Sequence, residues 1–213
     1  MQVQDKAIAM KTGSVVRQAR EGLQFIWHHQ TVRTLLIMVA VSNIFAFGYS
    51  SLMPAFAQDV LGQGPTGLGL MSAAIGTGAL AGALLVASLG RTVRKGRMLT
   101  AGNLLFPAMV LLFSASSNYF LSLFLLFLIG IGFMIQNNMT NTLIQISIPD
   151  ELRGRVMSVF TLVFMGFFPI GSLIAGTVAE HTTIPLGAAA GGTVALAFGL
   201  FWLWRAPHVR NLA

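Results

Sequence analysis

Cysteine is absent from the chain, and its absence removes several kinds of chemistry at once. Without thiols there is no disulfide framework, no cysteine nucleophile and no cysteine-ligated metal or haem site. Charge is also scarce, because Asp, Glu, Lys and Arg together make up only 9% of the residues. A soluble globular chain has about a quarter charged residues. The composition therefore argues against a water-soluble protein.

What the chain has instead is apolar sequence: 55% hydrophobic residues over 213 positions and a mean hydropathy of +0.76. Six apolar stretches are each near the roughly 20 residues that a membrane-spanning helix needs. They lie at about 33–56, 67–90, 98–115, 119–147, 156–179 and 184–204. The breaks between them are short and carry turn residues. The sequence thus predicts an all-α integral membrane protein with six transmembrane helices in one compact domain at 32–205.

The basic residues indicate the orientation of these helices. All 13 Lys and Arg residues fall on one predicted side: five before or at the start of the first helix, four in the second loop, two in the fourth loop and two in the tail. Cytoplasmic loops carry such an excess of positive charge. We therefore expect both termini to be cytoplasmic in a bacterial inner membrane, with the high net charge of +7 attracting anionic lipid instead of nucleic acid.

The residues outside the six-helix domain form a cytoplasmic arm at 1–31 and a tail at 206–213. The arm has no signal-peptide pattern. Apolar residues share one face of a predicted helix in the arm, which suits a helix lying on the membrane surface. These residues are Val16, Ala19, Leu23, Ile26 and Trp27.

One segment of the fourth apolar stretch is unusually polar: it holds seven uncharged polar side chains within ten positions. Asn137, Asn141 and Gln145 recur at helical spacing and so share one face. Two interpretations stay open, in which these amides either pack against neighbouring helices or line a water-filled cavity and bind a solute. Because packing normally needs only one or two such groups, we favour the cavity, with Asn43 of the first helix as a fourth binding residue.

Glycines in the second and fifth helices point to close packing. Small residues let helix backbones approach each other closely and slide, and the glycines concerned are Gly76, Gly78, Gly82, Gly171 and Gly176. Ordinary packing within the six-helix bundle is the alternative.

Several phrases together resemble one family. EGLQFIWHHQTVRTLL before the first helix, LMPAFAQDVLG at its end, GRTVRKGR in the second loop and PDELRGRVMS in the fourth are similar to the C-terminal half of a major facilitator superfamily (MFS) transporter. The closest likeness is to bacterial exporters of the enterobactin and macrolide efflux branch. The superfamily loop motif is kept only at Arg94, Gly96 and Arg97, and its acidic position is Val93 here.

The resemblance implies that these are helices seven to twelve of a twelve-helix antiporter with a 3+3 inverted repeat. It implies a central solute site, rocking alternating access and a second half that completes the protein. The second helix of each repeat would face that half, so the resemblance implies inter-half packing at Gly76, Gly78, Gly82, Gly171 and Gly176. Gating contacts would involve Arg94, Gly96, Arg97, Asp150, Arg153 and Arg155. No acidic residue or His lies in mid-span, so we expect any coupling group for protons to lie in the other half.

Catalysis has little support, because no phosphate-binding glycine–lysine signature, Ser-His-Asp set or metal-ligand cluster is present in the sequence. We expect no enzyme activity, no metal and no cofactor. Three functional hypotheses remain: the C-terminal half of an MFS exporter, a half-size transporter that works as a homodimer, and a membrane subunit or truncation product that does not transport.

Overall fold

The computed structural model describes residues 13–89 and 93–205, with side chains from residue 21 onward. Within these ranges the chain is helical and contains no β-strand. An arm helix, Gly13–His28, precedes six helices long and apolar enough to cross a membrane. We call them spans 1 to 6: Gln30–Val60, Pro65–Leu89, Lys95–Ser114, Tyr119–Ile146, Asp150–His181 and Ile184–Arg205. The predicted fold class is thereby confirmed.

Polar residues define where several helices begin. His29 is extended (φ −96°, ψ 97°), and its ring accepts a hydrogen bond from the backbone N–H of Val32, which separates the arm helix from span 1. Asn118 caps span 4 in the same way by accepting from the N–H of Leu121 at 3.0 Å. Side-chain caps satisfy N–H groups that the first helical turn leaves unpaired. Short polar breaks thus separate the apolar helices.

The helices pack in two groups of three. Span 4 packs against spans 2 and 3, span 1 packs against spans 5 and 6, and spans 3 and 6 pack against each other. Exchanging the first three spans with the last three reproduces these contacts, as expected of a 3+3 repeat, whereas the contact of span 5 with span 6 has no comparable counterpart between spans 2 and 3. Spans 2 and 5 are the least enclosed, with 17% of their apolar centres buried compared with 56% for span 1.

Spans 1 and 5 depart from regular α-helix where they meet. Span 1 changes to π-helix at Ser42–Ala46 and to 3₁₀-helix at Phe47–Leu52. Span 5 is divided at Phe167 into Asp150–Gly166 and Phe168–His181. The two irregular regions contact each other through edge-on rings of Phe47 and Phe168, 5.5 Å apart. Irregular backbone within a membrane is tolerated where protein covers it.

The arm helix packs against the start of span 5. Ile26 is buried in the same cluster as Val156 and Phe160, whereas Leu23 and Trp27 are exposed. The single apolar face expected from the sequence is therefore divided, because Ile26 faces the protein and its neighbours do not. The side chains of Val16 and Ala19 lie outside the described part of the chain.

Candidate functional site

A recess of about 230 Å³ lies between spans 1, 3, 4 and 5. Its lining combines uncharged polar groups with aromatic rings: Val39, Ser42, Asn43, Phe106, Phe133, Gln136, Asn137 and Phe164. That volume includes space open to the outside; the part that can be filled has room for about one water molecule, far less than the roughly 300 Å³ of a pocket for a drug-sized ligand. As it stands in this chain, the recess is one wall of a binding site at most.

Gln136 uses its amide for packing. It is buried, and its Nε2 donates to Ser42 Oγ at 2.6 Å and to Asn103 Oδ1 at 3.0 Å. These two bonds join span 4 to spans 1 and 3. The packing interpretation, which the sequence left open, therefore describes Gln136.

Two predicted binding residues do meet at the recess. Asn43 is buried and its Nδ2 donates to the carbonyl oxygen of Val39 at 3.0 Å, one turn earlier in span 1. Asn137 lies opposite on span 4, and its Oδ1 is buried without a hydrogen-bond partner. A buried acceptor that no protein group satisfies is energetically costly. Asn137 therefore presents an acceptor that a ligand or water can satisfy.

The other two predicted binding residues lie further along span 4. The Gln145 side chain donates a hydrogen bond to Asn141 Oδ1, and both residues are half-buried. They share the face of Asn137 but do not line the recess. Asn141 and Gln145 thus hydrogen-bond to each other along span 4, one and two helical turns beyond Asn137.

Aromatic rings form the apolar wall. Phe133 is the centre of this group, with ring centroids 4.9 Å from Phe47, 5.5 Å from Phe106 and 6.2 Å from Phe164. Nearness to the polar residues in sequence predicts Phe45, Phe47, Phe133 and Met134 as apolar contacts; of these, Phe133 lines the recess, and the prediction misses Phe106 and Phe164. No sequence signal distinguishes these two among the 16 phenylalanines of the chain.

The candidate inter-half glycines separate into two groups. A Cβ added at Gly78 would lie 2.0 Å from the Phe127 carbonyl oxygen, and one at Gly82 would lie 2.8 Å from that of Ile131. At Gly171 it would lie 2.3 Å from the Ile44 oxygen. These three glycines are in close contact with other spans of the same chain. Gly76 and Gly176 have open space around them.

The residues expected to gate transport lie at helix starts on one end of the bundle. Arg153 pairs with Asp150 at 2.6 Å within span 5, while Arg155 pairs with Glu21 of the arm helix. Arg94 and Arg97 are exposed and Gly96 is buried at the start of span 3. In residues 13–89 and 93–205 no group of three His, Asp or Glu side chains is placed to bind a metal.

Comparison with known proteins identifies the family to which the chain belongs. The family model described as transmembrane secretion effector matches residues 2–211. Multidrug efflux pump Tap of Mycolicibacterium fortuitum is 31% identical over 173 residues, which cover 79% of this chain and 41% of that protein. Tap of Mycobacterium tuberculosis (strain ATCC 25618 / H37Rv) is 32% identical over 163 residues, covering 75% and 38%.

A further relative is the uncharacterized MFS-type transporter YfmI of Bacillus subtilis (strain 168), which is 20% identical over 183 residues, or 84% of this chain and 45% of that protein. The chain thus spans about two fifths of the length of these relatives. The expected likeness to a bacterial efflux branch is confirmed. This six-span membrane protein belongs to the transmembrane secretion effector family of the major facilitator superfamily.

Proposed function

We propose that the chain is the C-terminal half of a secondary active transporter that exports a small, partly apolar solute. The observation that carries the proposal is the recess, where the unpartnered acceptor of Asn137 lies beside an aromatic wall. Ligand sites combine apolar surface with a few placed polar groups in this way. The similarity to multidrug efflux pumps supports export.

The chemistry of the recess suggests the kind of solute. Its polar groups are amides and a hydroxyl, with no charged side chain in the lining. A planar apolar molecule would stack on Phe133 and Phe164 while an N–H or O–H group donates to Asn137 Oδ1. Further along the face, exchange of the Gln145–Asn141 bond for a solute bond would extend the site.

A second six-helix half would complete this site. The recess is small in this chain alone, and the apolar centres of spans 2 and 5 are 17% buried. The expected architecture places the second helix of each repeat against the other half, so Gly76 on span 2 and Gly176 on span 5 are the glycines available for that contact. Rocking of one half against the other would expose the solute to each side in turn.

The basic ends of the spans would then face the cytoplasm. There the charged groups around Arg94, Arg97 and Asp150 would gate the transport pathway. Arg155 would take part in this gating through its ion pair with Glu21. The coupling ion would be bound by the other half, since the described spans show no carboxylate in mid-membrane.

Ethidium accumulation in a bacterial strain lacking its own efflux pumps tests the proposal. The chain is expressed alone, and also together with the N-terminal six-span half of a Tap relative. We expect reduced accumulation only with the second half present. Export by the chain alone, with two copies detected by native mass spectrometry, would favour a homodimer. No export in either case would refute the transporter proposal for this chain.

A further inference from the structure

The arm helix presents two different faces to its surroundings. Gly22 and Ile26, four residues apart, face the bundle, and Ile26 is only 8% exposed. Leu23 and Trp27 follow each of them by one position, so they lie about 100° around the helix. Their exposed fractions are 54% and 71%. One face is therefore packed on the protein, while a large apolar pair on the next face has no protein cover.

The Trp27 ring is held in position by the first turn of span 1. The guanidinium carbon of Arg33 lies 5.9 Å from the ring centroid, and Arg33 Nη1 donates to the Trp27 carbonyl oxygen at 3.1 Å. A cation over an indole face is a favourable contact. Span 1 begins at Gln30, three residues after Trp27. Trp27 is thus at the depth where a transmembrane helix enters the bilayer, and tryptophan is enriched at that depth.

The charge at this end of the bundle identifies the surface that would cover the apolar pair. Arg33 opens span 1, and Arg94 and Lys95 open span 3, while Arg153 and Arg155 at the start of span 5 are paired with Asp150 and Glu21. Clusters of basic residues beside transmembrane helices attract anionic lipid headgroups. An apolar pair beside Arg33, at a bundle end that carries further cations, fits the headgroup and upper acyl region of an anionic leaflet.

The arm helix is also fastened to span 5. Arg155 donates to Glu21 Oε2, and each side chain is about one third exposed. A Cβ added at Gly22 would lie 3.3 Å from the Arg155 Cβ, so the arm helix rests directly on this residue. Span 5 carries Phe164 of the recess two turns and a half beyond Arg155. A contact that fixes the position of the arm helix therefore also constrains the start of span 5.

We propose that the arm helix is a lipid-contacting lever: Leu23 and Trp27 insert into an anionic leaflet, and the Glu21–Arg155 pair transmits this contact to the start of span 5. The proposal concerns the membrane surface and does not depend on the solute or on the direction of transport.

Trp27 fluorescence tests the lipid contact. The chain has tryptophan at 27, 202 and 204, so Trp202→Phe together with Trp204→Phe leaves Trp27 as the only emitter. In nanodiscs of phosphatidylcholine and phosphatidylglycerol we expect blue-shifted emission and strong quenching by lipids brominated near the headgroup end of the chains. Replacing phosphatidylglycerol by phosphatidylcholine should weaken this quenching. Emission at the wavelength of water-exposed tryptophan would refute insertion. Blue-shifted emission without bromine quenching would also refute it, because protein would then cover Trp27.

Hydrogen exchange tests the lever. In the native chain, phosphatidylglycerol should slow amide exchange at residues 150–160. This slowing should be absent in Glu21→Gln and in Arg155→Gln, and the double variant should show no further loss. Arg153→Gln is the matched control, because it removes a cation from the same turn but one that pairs locally with Asp150. We expect it to keep the lipid effect. Equal lipid protection in Glu21→Gln and the native chain would refute transmission through the pair.

Discussion

Replacing Gly78 by alanine should separate span 2 from span 4. The added Cβ would lie 2.0 Å from the Phe127 carbonyl oxygen and 2.8 Å from its carbonyl carbon. Both atoms belong to backbone, so no side-chain rotation can relieve the contact, and the helices must move apart by at least about 1 Å to reach a tolerated distance. Overpacking of this kind typically costs about 1–3 kcal/mol.

Gly76 provides a matched control on the same helix. A Cβ there would meet nothing within 4 Å. Alanine is a better helix former than glycine by about 0.5–1 kcal/mol, and this gain applies at both positions. The difference between Gly78→Ala and Gly76→Ala therefore isolates the packing cost at about 1–3 kcal/mol. Gly82→Ala should fall between them, because its nearest contact is 2.8 Å.

The assay is equilibrium unfolding in dodecylmaltoside micelles titrated with sodium dodecyl sulfate, followed by far-ultraviolet circular dichroism. We expect the order of stability to be Gly76→Ala, then Gly82→Ala, then Gly78→Ala. Equal midpoints for Gly76→Ala and Gly78→Ala would contradict the close contact of spans 2 and 4.

Three further predictions concern packing, gating and orientation. Gln136→Met removes two buried bonds worth about 0.6 kcal/mol each in membranes and leaves Asn103 Oδ1 without its donor; the same unfolding assay should show a loss of about 1–2 kcal/mol, and an unchanged midpoint would contradict the packing role. Arg153→Gln should leave stability within about 0.5 kcal/mol because its pair with Asp150 is exposed, but should slow the proposed ethidium export by the chain together with a second half; unchanged export would mean that Arg153 serves only as a topology signal. Cysteines at Ser117 and Thr183 should react with an impermeant maleimide outside intact cells while one at Glu151 should not, and the reverse labelling would refute the proposed orientation.

The six spans could be predicted from sequence because hydropathy alone determines them. The first predicted stretch, 33–56, lies inside Gln30–Val60, and the fourth, 119–147, differs from Tyr119–Ile146 by one residue. The changes of helix type in span 1 could not be predicted in this way. They occur where Gly48 packs closely against the Gly171 carbonyl oxygen, a contact between residues far apart in the chain.

The site could be predicted only in outline. Gln136 and Asn137 are neighbours with the same chemistry, yet Gln136 is bonded to spans 1 and 3 while Asn137 has an unpartnered oxygen. A rotation of about 100° between adjacent residues decides this difference, and sequence does not say where the neighbouring helices lie. The same limit applies to Gly78, whose small size predicts a close neighbour without identifying it.

Solute binding by an Asn137 variant is the most direct test of the proposed site. Asn137→Leu in the chain co-expressed with the N-terminal half of a Tap relative should weaken ethidium binding about 2- to 10-fold, because one hydrogen bond contributes about 0.5–1.5 kcal/mol. Its unfolding midpoint should not fall, since Asn137 Oδ1 has no protein partner to lose. Asn138→Leu, one position outside the recess lining, should bind ethidium as the native protein does. Unchanged affinity in Asn137→Leu together with lower stability would contradict the account and make the polar face a packing surface.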